Sequence, residues 1–318
     1  MTTRTKAILS AVPIAILLVL IGFYYLFPET IFTLLIKTER AAAGLDERHI
    51  RVGGLDFAYL EGGKGEPLVL LHGFGANKDH WTRMGKYLTP HFRVIAPDLT
   101  GFGESSSAPD GDYTIRTQVR RMSAFLRAMD IASFHLGGSS MGGHIAGVFA
   151  AAYPQQVKTL LLLAPGGVVS AQPSDMARRM MAGGSNPLLA ENIADFRRTL
   201  DFVFYREPFL PRPIKKVLLR KALDRQALYA AIFEQIRDAW QREPLEDVLQ
   251  GLGVPTLIIW GARDRVLHVS GAAVLAAVIP EAELAVMRAV GHLPMIEKPR
   301  ETAEVYRNWL KNTQYTPF

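Results

Sequence analysis

The sequence predicts an α/β fold: a mostly parallel sheet with helices on both faces, an inserted helical cap and an N-terminal transmembrane helix. Three observations predict it. From Leu55 onward, short apolar runs bounded by turn residues alternate with amphipathic stretches of helical period. Between about residues 168 and 249 the strand signals vanish, and then they return. Ahead of all this, residues 7–27 form an apolar run without a charge.

That first run is about 20 residues long, roughly 30 Å as a helix, which matches a bilayer core. Pro13 sits in its first turns, where proline is tolerated. Tyr24 and Tyr25 fall where an interfacial aromatic belt lies. A cleaved signal peptide has a shorter apolar core, of about 7–15 residues, and a cleavage site such as Ala41-Ala42-Ala43 is too far downstream. Residues 1–36 are therefore expected to be a membrane anchor. Arg4 and Lys6 favour an N-terminus inside and a catalytic domain on the non-cytoplasmic side, although Lys37 and Arg40 dilute that bias.

A strand is expected from Leu55 to Leu60, ended by Gly62-Gly63. Leu68-Val69-Leu70-Leu71 is continuous in its apolarity, as a parallel strand buried on both faces requires. It stops at His72-Gly73-Phe74-Gly75. Residues 93–96 form another strand, which runs into Asp98-Leu99-Thr100-Gly101-Phe102-Gly103-Glu104-Ser105. Residues 113–129 read as a helix, with Ile115, Val119, Met122, Phe125, Leu126 and Met129 on one stripe. A short strand through Phe134 and Leu136 then turns at once into a helix, and residues 157–163 are a further strand. After the cap come a strand at 256–260, a helix at 270–279, a strand at 284–287 and a helix at 300–311. The expected organisation is an anchor (1–36), the first part of the core (37–167), a helical cap (168–249) and the second part of the core (250–318).

Composition bounds the function. The chain has 318 residues, 49% hydrophobic and 21% charged, which is ordinary for a globular domain with an insertion. It has no cysteine, so disulfides and thiolate metal sites are excluded. The net charge of +6 comes without a basic stripe interleaved with aromatics, so no nucleic-acid partner is expected, and an anionic membrane surface fits the charge better.

The chemistry is concentrated at Gly138-Ser139-Ser140-Met141-Gly142, one copy of G-x-S-x-G centred on Ser140. A strand turning straight into a helix strains its turn residue, and small neighbours let the turn close. The hydroxyl gained sits above the sheet edge at a helix N-terminus. A frame centred on Ser139 lacks the closing glycine. A serine nucleophile needs a base, and the base needs an orienter. Asp264 follows the strand at 256–260 and His292 follows the strand at 284–287, so both are expected at the carboxyl edge of the sheet beside Ser140. The loop after the 157–163 strand, Ala164-Pro165-Gly166-Gly167, offers no competing carboxylate. His72 reads as a structural turn residue. The developing oxyanion needs two fixed donors, which are expected to be the N–H groups of Met141 and Phe74. In the cap, Phe202, Phe204, Tyr205, Phe209 and Leu210 crowd beside Arg206 and Arg212. Either these aromatics are the cap's own core, or Phe202 and Phe209 line an acyl groove over Ser140.

These motifs together resemble the α/β-hydrolase fold family from about Leu55 to the C-terminus. Residues 74–81, 112–121 and 260–271, with the N-terminal apolar run, are most similar to the membrane-anchored monoacylglycerol lipases and related bacterial lipases. Thr100 stands where the family's loop commonly has proline. The resemblance implies hydrolysis of carboxylic esters of lipids or acylglycerols, with no cofactor and no metal, and leaves acyl chain length and oligomeric state open. Alternatives are a C–C bond hydrolase of ring-cleavage products, an acyltransferase or cofactor-free haloperoxidase, and a hydrolase-fold binding protein with dead chemistry. Epoxide hydrolase and haloalkane dehalogenase chemistry needs an aspartate where this chain has Ser140.

Overall fold

The computed structural model describes residue 17 and residues 22–280 and 282–313. The predicted span at 7–27 lies largely outside the described residues, among which no helix is long and apolar enough to cross a membrane.

The first helix, α1 (Pro28–Ala42), opens with proline, carries Glu29 in its first turn and Arg40 in its last, and so suits its own dipole. It does not stop at residue 36. Its N-terminal half packs Phe32 against Ile214 and Val217, while Arg40 bonds Asp79 and Glu39 bonds Arg83. The expected boundary at 36 therefore cuts a helix that bridges the segment around Ile214 and Val217 and the core.

An eight-stranded sheet follows: β1 (Asp46–Val52), β2 (Leu55–Gly62), β3 (Glu66–Leu71), β4 (Phe92–Pro97), β5 (Phe134–Ser139), β6 (Val157–Leu163), β7 (Thr256–Gly261) and β8 (Glu283–Met287). Its order is β1-β2-β4-β3-β5-β6-β7-β8. The pairs β1/β2 and β2/β4 are antiparallel, and the rest are parallel. Strand β1 was not expected. Apart from Ile50 and Val52 its residues are polar or charged, and most are exposed, as befits an edge strand that must discourage further pairing.

The apolar runs alternate between two cores. Val69, Leu71, Leu136, Leu160, Leu162 and Ile258 face one side, where they meet α3 (Ile115–Ala128) and α4 (Met141–Ala152), the one-turn α2 (Thr82–Gly85) lying between α1 and α3 in the chain. Leu68, Leu70, Leu161, Leu163, Leu257 and Ile259 face the other, with Tyr306 and Trp309 of the C-terminal helix. Successive strand residues point to opposite faces, so burial of both faces demands an unbroken apolar run.

The chain goes from β3 to β4, then returns past β3 to β5. The order in which strands are added reverses there, and such a switch point is where open parallel sheets place a crevice beyond the carboxyl ends of their strands. Between β6 and β7 lie five further helices, α5 (Asp175–Met181), α6 (Ile193–Val203), α7 (Arg212–Asp224), α8 (Gln226–Arg242) and α9 (Leu245–Val248). The core ends with α10 (Ser270–Val278), α11 (Pro294–Glu297) and α12 (Pro299–Asn312).

Candidate active site

Strand β5 ends at Ser139 and α4 begins at Met141, so Ser140 alone makes the turn, with φ of 55°. A non-glycine residue there costs about 1–3 kcal/mol. Three hydrogen bonds hold it: its N–H donates to Leu163 O, and its carbonyl accepts from His144 N–H and Gly166 N–H. The glycines are needed for contact. A Cβ on Gly138 would stand 2.1 Å from Gly142 O, and one on Gly142 would stand 2.2 Å from Leu71 O. Ser139 is wholly buried in the strand.

Asp264 and His292 come together from the loops after β7 and β8. His292 Nδ1 and Asp264 Oδ2 are 2.8 Å apart, and the pair is buried. Asp264 Oδ1 accepts the N–H groups of Val266 and Leu267 at 2.8 and 2.9 Å, so both carboxylate oxygens are engaged. The two loops are joined by Arg263 N–H to Val290 O, 3.0 Å.

The loop after β3 lies against Ser140: a Cβ on Gly73 would be 3.1 Å from Ser140 Cβ and 3.7 Å from its Oγ. Phe74 therefore follows directly beside the serine. Met141 is the first residue of α4, where helix N–H groups have no partner within the helix. His72 accepts Leu99 N–H at Nε2, which puts its proton on Nδ1, 2.8 Å from Gly73 O. Desolvation holds its pKa below the usual imidazole value, so it is a neutral brace for this loop. Thr100 is buried and its hydroxyl donates to Gln118 Oε1, tying the loop after β4 to α3.

The expected groove residues are placed differently from Ser140's surroundings. Phe202 is buried against Met176 and Val266, under the Arg265 guanidinium. Phe209 is 87% exposed. The aromatics that meet the Phe74 loop come from α8: Tyr229 and Phe233 both pack edge-on to Phe74, beside Phe102. Trp240, further along α8, lies against Gly166, whose N–H holds Ser140's carbonyl. Residues 229, 233 and 240 lie on one helix face, a spacing that the aromatic-rich 202–210 segment obscured. An open cavity of about 670 Å³ is lined by Asp264 together with Leu200, Phe204, Tyr205, Arg263 and His268 among others. Among the described residues, no group of three or more His, Cys, Asp or Glu could hold a metal ion.

The alpha/beta hydrolase fold family matches residues 66–299. Lipase 1 of Psychrobacter immobilis is 37% identical over 278 residues, which is 86% of each chain. Monoacylglycerol lipase abhd6-B of Xenopus laevis is 31% identical over 315 residues, covering 94% of this chain and 92% of that protein. Among solved structures, a membrane phospholipase A that is a bacterial virulence factor superposes with a TM-score of 0.87 at 40% identity, over 96% of this chain and 98% of that one. The sheet, the strained serine and the matched span agree, and this chain belongs to the α/β-hydrolase fold family.

Proposed function

We propose that this chain is a membrane-tethered serine hydrolase that cleaves carboxylic esters of lipids, acylglycerols among them, through an acyl-enzyme on Ser140. One observation carries the reading: a buried His292–Asp264 pair at 2.8 Å, on the same sheet edge as a serine held at φ 55°. Asp264 accepts the Nδ1 proton of His292, which leaves Nε2 free to take the Ser140 proton as the hydroxyl attacks the ester carbonyl. The N–H groups of Met141 and Phe74 receive the oxyanion. His292 then protonates the leaving alcohol, and water releases the acyl group by the same steps in reverse order.

Lipid, rather than a soluble ring-cleavage product, is favoured by the apolar run at 7–27 and by the likeness to lipases and a membrane phospholipase. That run is read as a single-pass anchor, with the catalytic domain on the non-cytoplasmic side. The decisive measurement is turnover by the full chain in detergent micelles. Acylglycerols and p-nitrophenyl esters of rising chain length are compared with a ring-cleavage dienoate. Esters are expected to be the better substrates, and a higher kcat/KM on the dienoate would overturn the reading. Each acyl methylene buried contributes about 0.8 kcal/mol, or roughly fourfold in kcat/KM. Tyr229 and Phe233 are proposed to line the acyl groove in place of Phe202 and Phe209. Tyr229→Ala should therefore flatten the chain-length rise while acetyl hydrolysis changes little.

The anchor reading has its own test. Deletion through residue 27 should give a soluble enzyme that still cleaves short esters. Deletion through residue 36 also removes Phe32 from Ile214 and Val217. It should cost a further 2–3 kcal/mol, roughly the burial of one phenylalanine, read by urea unfolding. Equal stability of the two truncations would show that α1 contributes nothing to the cap.

A further inference from the structure

One side chain, that of Glu297, hydrogen-bonds both to the loop carrying His292 and to the cap. Glu297, the last residue of α11, accepts Gly291 N–H at Oε1, 2.8 Å away. Its Oε2 accepts the N–H groups of Tyr205 and Arg206, at 3.1 and 3.0 Å. Those two residues belong to the strap that follows α6. The last residue of α6 makes one more bond to the same loop, as His292 N–H donates to Val203 O at 2.9 Å. Contact here is tight, since a Cβ on Gly291 would stand 2.6 Å from Tyr205 N and 2.8 Å from Glu297 Oε1. The N–H groups that the carboxylate accepts thus come from the residue before His292 and from the cap, over 91 and 92 positions of sequence in the latter case.

We propose that Glu297 is a positioning residue that couples the cap to the catalytic base, so that the placement of His292 follows the placement of the 203–206 strap. The proposal rests on reading His292 as the base. Its physical content is geometric. A carboxylate has two acceptor oxygens in a fixed fork, and here one faces the histidine loop and the other the strap. A cap shifted by entering acyl chains moves Oε2's partners, and through the rigid fork it moves Gly291 and His292. Desolvation holds the Glu297 carboxyl above its usual range, as does the charge of nearby Asp264, yet three N–H donors converge on it.

Glu297→Gln tests this, because an amide offers one acceptor oxygen and turns an NH₂ toward donors on the other side. The full chain in micelles is assayed on p-nitrophenyl acetate, with active sites counted by fluorophosphonate labelling run to completion. The expected result is a kcat per site lowered about 10- to 100-fold, as misplacement of a reacting group by about an ångström produces, with KM within about twofold of the parent. Arg206→Pro removes one strap N–H and should lower kcat less, adding nothing further when combined with Glu297→Gln. A purely structural role would lower the fraction of labelled sites and leave kcat per site intact, and that result would overturn the proposal. So would effects that multiply independently in the double variant. If Glu297→Gln does not fold, Arg206→Pro alone decides, and an unchanged kcat overturns the coupling. His292→Ala runs in parallel: if it keeps normal turnover, it is the triad reading that has failed.

Discussion

Asp264→Asn is expected to lower kcat on ester substrates by about 10⁴ while the fold is kept. The hydrogen bonds around the carboxylate explain why so small a change costs so much. Asp264 Oδ1 accepts two backbone N–H groups, from Val266 and Leu267. An asparagine here keeps its carbonyl oxygen on those donors, because its NH₂ cannot accept them. The NH₂ must then face His292 Nδ1 in place of Oδ2, which sits 2.8 Å away. A donor at that position makes Nδ1 the acceptor and moves the imidazole proton to Nε2, where it blocks uptake of the Ser140 proton. The Asp264 side chain is fully buried, so water has little access to restore the tautomer. Ser140→Ala removes the proposed nucleophile and should abolish fluorophosphonate labelling. Both are read by steady-state hydrolysis of a p-nitrophenyl ester beside labelling, with unfolding curves to check the fold. Near-normal turnover by Asp264→Asn would place the acid elsewhere.

The pieces of this site that could be read from the sequence are those whose physics is local. Gly138 and Gly142 announce the turn because backbone carbonyls two ångströms from any Cβ leave no other choice. Leu68 to Leu71 announces a buried strand because both faces of the sheet are covered. Asp264 and His292 follow from their places after such strands. What could not be read depends on partners far away in sequence. Strand β1 carries Asp46, Glu47, Arg48, His49 and Arg51, so it reads as a polar linker until β2 is known to be beside it. The crowd of aromatics at 202–210 drew attention to Phe202 and Phe209. Yet Phe202 turns into its own small cluster and Phe209 to solvent, while Tyr229 and Phe233 of α8 reach Phe74. Glu297 has no periodicity to mark it, since its partners are backbone groups, two of them in the segment between β6 and β7. Nothing in the sequence around Lys78 marks it as a buried charge. It is in fact 1% exposed.

Lys78→Met should be the most damaging single change to stability, at about 3–5 kcal/mol near pH 7, because it leaves the buried Asp98 carboxylate without its cation. Lys78 Nζ lies 2.9 Å from Asp98 Oδ2, 2.9 Å from Glu47 Oε1 and 2.6 Å from Glu104 Oε2. Asp98 is fully buried, and its other bonds come from Lys78 N–H at 2.6 Å and Glu104 N–H at 2.8 Å. Methionine fills similar space and keeps those backbone bonds, so the lost charge is the main variable. The pH dependence follows from Glu47. Desolvation works to raise its pKa, but bonds from Glu104 and Lys78 and the charge of Arg40 outweigh it and hold the carboxyl at about 2, against an ordinary 4.5. A carboxyl depressed in the folded state adds stability above pH 4.5 and loses it as the pH falls toward 2. Removal of Lys78 takes away part of that depression. The gap between parent and variant should therefore be widest near neutrality and narrow below pH 4.5. Urea unfolding at pH 7 and at pH 3 measures both, and a difference below about 1 kcal/mol at pH 7 would mean that water reaches the cluster. The same substitution loosens the turn four residues after Phe74, since Lys78 and Asp98 tie the loop after β3 to the loop after β4. Turnover per folded molecule should fall as well, through a misplaced Phe74 N–H.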